Sequence, residues 1–134
     1  MNAIASTERF ACEIDELGEA AITLNIRDQR IVTLTAFGNT WLREDQLAAA
    51  LGFSLLSHFR AVIDEAHLYA GARRRTEVAV KGGHVPMTVY SLNGAHQVCQ
   101  FIRSKPSRDR AERARELMDL LQLLRCPNVI RETA

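Results

Sequence analysis

No stretch of this 134-residue chain places more than five apolar residues in succession, and that run, residues 47–51, is mostly alanine. A membrane helix needs roughly 20, so the sequence predicts a globular core and no membrane partner. The apolar residues follow two other rhythms. Residues 22–26, Ile-Thr-Leu-Asn-Ile, alternate apolar and polar, and β-branched residues resume at Ile31 after the turn-like Arg27-Asp28-Gln29-Arg30; this predicts a hairpin. Val78, Val80, Val85, Met87 and Val89 alternate on either side of Gly82-Gly83, which predicts a second hairpin turning at the two glycines.

Helical spacing fills the remainder. A first helix is expected from Arg43 or Glu44 to Gly52, a natural stop, and a second, capped by Ser54, carries Leu55, Phe59, Val62, Ile63 and Ala66. Ser91 or Asn93 opens a third, with Leu92, Ala95, Val98, Cys99 and Ile102 in one stripe, ending before Pro106. Ser107 caps a fourth, charged at its start and leucine-rich toward Leu124. The fold class expected is α+β: small antiparallel hairpins packed with about four helices, including a helix-turn-helix-like corner. One domain is predicted over residues 22–125, after an acidic, partly flexible leader (1–21) and before a flexible tail (126–134).

Seventeen basic and 16 acidic side chains leave a formal charge of +1, which by itself implies no pull toward a polyanion. The average hides a division: residues 1–70 carry net −5 and residues 71–134 net +6. Arginine outnumbers lysine 15 to 2; guanidinium suits phosphate and base edges, and the codons of a GC-rich genome produce the same ratio. Cys12, Cys99 and Cys126 are an odd set without CxxC spacing, which points to a reducing compartment. The first residues lack a signal peptide's basic start and apolar centre. A cytoplasmic location is expected.

Three constellations bear on function. Ala48 and Gly52 have the spacing of a helix-turn-helix corner, and Ser54, Ser57, His58 and Arg60 would face a groove from the second helix, unless the corner merely packs on the core. Arg73, Arg74, Arg75 and Lys81 form the densest basic cluster, either laid along nucleic acid or a solvated hairpin. Arg103, Lys105, Arg108, Arg110, Arg113 and Arg115 are interleaved with acids, a pattern of salt-bridged helix surface. Leu117, Leu120, Leu121, Leu123 and Leu124 make a face wider than one core stripe needs, which predicts a homodimer or partner interface, with burial against the sheet as the rival.

Catalytic patterns are not legible. His96 and Cys99 are a single i, i+3 pair without a second pair for zinc. Gly82-Gly83 is not followed by GK[ST], and no serine sits in G-x-S-x-G. Neither an enzyme, a metal, a cofactor nor a small-molecule substrate is expected.

The stretch from Trp41-Leu42 through Gln46-Leu47-Ala48-Ala49-Ala50-Leu51-Gly52-Phe53, closing in Val62-Ile63-Asp64-Glu65, resembles the opening of the BRO amino-terminal domain. That family occurs in phage and prophage antirepressors and in large DNA viruses. Val89-Tyr90-Ser91-Leu92-Asn93-Gly94 resembles the family's next strand and helix start, and Arg103-Ser104-Lys105-Pro106 its break before the final helix. Gln46 stands where the family usually has Asp. The resemblance spans residues 31 to 121. It implies an α+β regulatory domain in a bacterial host cell that binds DNA, or that binds a repressor or host-defence protein without touching DNA.

Overall fold

A computed structural model of the chain describes residues 22–36, 39–80 and 82–124. The leader at 1–21, the tail at 126–134 and Lys81 lie outside the described residues. The first hairpin forms as its alternation requires: β1 (Thr23–Ile26) pairs antiparallel with β2 (Gln29–Val32), Ile26 opposite Gln29. Arg27 and Asp28 alone make the turn, with Arg27 at φ +56°. An L-residue in that conformation costs about 1–2 kcal/mol, and the Arg27 guanidinium is held against the last helix, 2.8 Å from Asp109 and 3.1 Å from Glu116.

β3 (Leu34–Ala36), β4 (Asn39–Arg43), β5 (Arg73–Val80) and β6 (Gly83–Ser91) form a four-stranded antiparallel sheet in the order β3-β4-β6-β5. Trp41-Leu42, an isolated apolar pair in the sequence, is the centre of β4. Leu42 and its ladder partner Tyr90 face the helices, whereas Trp41 and Val89 join Leu34, Val78 and Met87 in a second apolar cluster. Alternation along the strands puts the two clusters on opposite faces.

Four helices are present among the described residues: α1 (Glu44–Ala50), α2 (Leu56–Asp64), α3 (Leu92–Arg103) and α4 (Arg108–Leu124). The fold is therefore α+β. The α1 stop at Gly52 is built as the sequence predicts: Gly52 sits at φ +91°, its N–H donates to the Ala49 carbonyl, and the Phe53 N–H to the Ala48 carbonyl. This pair of hydrogen bonds is the Schellman arrangement, whose positive φ favours glycine at that position. The Ser54 cap does not form. The chain runs extended out of the turn, Leu55 takes the N-cap position at φ −123° without a side-chain cap bond, and Ser54 is exposed.

Ser91 does cap α3, its Oγ accepting from the Gly94 N–H at 2.9 Å, and Ala95, Val98, Cys99 and Ile102 are buried as their stripe implies. α4 buries Ala114, Leu117 and Leu121, spaced by three and four. The core of α1, α3 and α4 closes over β1, β2 and the inner sheet face, with Ile26, Ile31, Leu42, Leu117 and Leu121 at most 1% exposed. No helix among the described residues is long and apolar enough to cross a membrane.

Candidate nucleic-acid interface

β4 pairs with β6 only from Val89 to Ser91. From Arg75 opposite Thr88 to Val80 opposite Gly83, β5 and β6 form a two-stranded ribbon with no third strand among the described residues. It is about 17 Å long at 3.4 Å per residue. Its connection differs from the expected Gly-Gly turn: Val80 pairs with Gly83, so Gly83 belongs to β6 and of the two glycines only Gly82, at φ +94°, lies between the strands. The ribbon is sided. Thr76, Val78, Val85, Met87 and Val89 share the face of the Trp41 cluster; Arg75, Glu77, Thr88, Pro86 and His84 share the other.

Strand alternation divides the arginine cluster. Arg74 belongs to the apolar face, its guanidinium 5.9 Å from the Trp41 ring centroid. Arg73 lies at the ribbon's root on the polar face, where its Nη1 donates to the Tyr90 hydroxyl at 3.3 Å and its Nη2 is 3.8 Å from Asp64 of α2. Arg75 is one rung further out, exposed, with a 3.4 Å bond to Thr88. Three consecutive arginines thus have three environments: Arg73 and Arg75 share the polar face, Arg75 further along the ribbon beyond the contact with α2, and Arg74 lies on the other face.

The root is closed by a buried network. Glu44, 3% exposed, accepts from the Tyr90 hydroxyl at 2.9 Å through Oε2, and from Arg60 Nε and Nη2 at 3.0 and 2.8 Å through Oε1. Charge-assisted, two-pronged bonds are among the stronger protein hydrogen bonds. Burial holds the Tyr90 hydroxyl well above its ordinary pKa, and the bond to Glu44 raises that of Arg60. The network has a direct consequence for the helix-turn-helix-like corner. Arg60 is the one base on α2, and it is committed to Glu44. Ser54, Ser57 and His58 are exposed at the start of α2, His58 lying edge-on to Phe53 with centroids 5.4 Å apart. Asp64 and Glu65 occupy its other end.

The second basic stretch is the salt-bridged surface its spacing predicts. Arg108 pairs with Glu112, Arg113 with Asp109, and Arg27 with Asp109 and Glu116. Bonds from Arg113 and Arg27 hold the Asp109 carboxyl below the usual carboxylate range. Arg113 and Arg110 also brace the α1–α2 corner: Arg113 Nη1 lies 3.5 Å from the Ala50 carbonyl, and the Arg110 guanidinium stacks 3.9 Å from the Phe53 centroid.

The interface expected from the leucine-rich helix needs correction. Leu117 and Leu121 are fully buried in the protein's own core, and Leu120 and Leu124 are half-buried against it, because β1 and α3 close on this helix. Leu123 alone of the five is exposed. Cys99 is buried in apolar surroundings that push its thiol up to about 12, so it holds its proton in the folded protein.

Glu44 was legible only as an acid favouring a helix start; nothing local ties it to Tyr90, 46 residues on. Arg73, Arg74 and Arg75, expected as one cluster, are divided by strand parity, which assigns neighbours to opposite faces and was the signal that could have separated them. Set against protein-family models, curated proteins and solved structures, the chain matches none of them.

Proposed function

We propose that this chain is a phage or prophage regulatory protein, similar to BRO amino-terminal antirepressors, that binds DNA to control transcription in the bacterial cytoplasm. The observation that carries the reading is the ribbon, whose polar face presents Arg75 and His84 beyond the edge of the sheet. A two-stranded ribbon has the width of a DNA groove, and guanidinium groups on it serve phosphates and base edges. Ser54, Ser57 and His58 at the start of α2 are auxiliary contacts. Arg60 and Arg73 hold the ribbon's root to α1 and α2, and Arg74 belongs to the Trp41 side.

Electrophoretic mobility shift of short duplexes at low and moderate salt tests it. Binding is expected to weaken steeply as salt rises, and Arg75→Ala to weaken it further. A protein that shifts no duplex at either salt concentration refutes the reading.

A second reading, capture of a repressor protein without DNA, draws on α2, where exposed Leu55 and the acids Asp64 and Glu65 offer an apolar and acidic surface to a basic partner. Copurification with a repressor in the absence of any DNA shift selects it. Self-association through α4 would rest on Leu123 with the edges of Leu120. Leu123→Asp is then expected to lower the mass seen by light scattering, and an unchanged mass removes this helix as the interface.

A further inference from the structure

The acid inside the basic ribbon is not explained by phosphate attraction. Glu77 is exposed and has no ion-pair partner among the described residues; Arg75, two positions before it on the same face, bonds Thr88 instead. Beside phosphates such a carboxylate repels. In one setting on DNA it is favourable: the major groove, where cytosine presents its N4 amino group as a donor and a carboxylate accepts from it. Guanine presents O6 and N7 there, which a guanidinium meets with two bonds. The minor groove offers no cytosine amino group, so a carboxylate finds no base donor of that kind there.

Resting on the DNA-binding reading above, we infer that the polar face of the ribbon lies in the major groove of duplex DNA, with Arg75 reading guanine and Glu77 reading cytosine. The two side chains leave one face about 6.8 Å apart, which is about two base-pair rises. The ligand is therefore a duplex with a guanine and a cytosine about two base pairs apart. Arg74, on the opposite face against Trp41, takes no part.

The test selects bound sequences from a pool of short duplexes with a randomised centre. Wild type is expected to enrich guanine and cytosine at that spacing, and Arg75→Ala to lose the guanine preference, a discrimination of about 5- to 150-fold for a good bidentate pair. Glu77→Gln is expected to exchange cytosine for adenine at one position, because a carboxamide pairs with adenine N6 and N7. Arg74→Ala leaves the selected sequence unchanged. Methyl green, a major-groove ligand, should displace the protein, and netropsin, a minor-groove ligand, should not. Glu77 is exposed, and an unaltered circular dichroism spectrum of its variant separates lost reading from lost folding. If Glu77→Gln selects the wild-type sequence, or netropsin displaces the protein, the groove assignment is overturned while DNA binding stands. If wild type shifts no duplex at low salt, both fall together.

Discussion

Glycine is a poor helix former, and replacing one by alanine inside a helix ordinarily stabilises by about 1 kcal/mol. At Gly94, in the first turn of α3, the structure reverses that sign. A Cβ there would lie 2.1 Å from the Ala72 carbonyl oxygen and 2.8 Å from its carbon, where ordinary contact begins at 3.4 Å. The obstacle is backbone, so no side chain swings aside; helix and strand approach must separate by about 1.3 Å to restore a normal contact. That separation opens the 2.9 Å bond from the Ser91 N–H to the Ala72 carbonyl and strains the Ser91 cap on the Gly94 N–H. Overpacking costs about 1–3 kcal/mol, a backbone bond about 1, and a weakened cap up to about 1. Set against the propensity gain, Gly94→Ala is expected to destabilise by about 1–4 kcal/mol, lowering the melting temperature by roughly 4–20 °C in a domain of this size. Denaturant titration followed by far-ultraviolet circular dichroism reads the change as a lower midpoint at constant slope. A midpoint equal to wild type or higher refutes the reasoning, because propensity would then outweigh the contact.

Tyr90→Phe deletes the hydroxyl between Glu44 and Arg73 and leaves a buried carboxylate oxygen short of its donor; a loss of about 1–3 kcal/mol in urea is expected, and an unchanged midpoint would show the network to be idle. Asp109 has its folded pKa below the unfolded one, so its pairing with Arg27 and Arg113 supports the fold above the unfolded carboxyl pKa of about 4 and is lost as pH falls through the folded value. An NMR titration midpoint for Asp109 at or above the ordinary carboxylate value contradicts this, and Asp109→Asn should flatten that part of the acid dependence. In a variant with Cys12→Ser and Cys126→Ser, Cys99 should resist iodoacetamide at mildly alkaline pH and react only as denaturant opens the core; rapid alkylation of the native protein would place the thiol at the surface.

The sequence carries local information, and what it made legible follows that limit. Alternation from Ile22 to Ile26 and the stripe through Ala95, Val98 and Ile102 are period signals, and both elements formed where the periods lie. Gly52 was legible because a positive φ at a helix end favours glycine by sterics alone. The misread turn at Gly82-Gly83 shows the opposite case: either pair of residues could close that hairpin, and the choice follows from register across β5 and β6. Leu117 and Leu121 looked surplus because counting leucines on one helix cannot reveal how many elements close around it. For the candidate site, the ribbon and its charge were visible in the residues 73–90. The ties of Arg60 and Arg73 to Glu44, Tyr90 and Asp64 join segments between nine and 46 positions apart, and only the assembled chain brings them together.

The packing of α4 against the first hairpin sets an order on how this protein can be made. Ile26 of β1 is synthesised about 90 residues before Leu117 and Leu121, the residues of α4 that share its core cluster. Arg27 waits equally long for Asp109 and Glu116. A nascent chain that has reached β6 already holds a ribbon ready to pair but still lacks α3 and α4, so apolar surface stays open, the condition under which strands find wrong partners. Contacts of such separation in sequence slow folding, so the first hairpin stays uncovered until α4 docks on it.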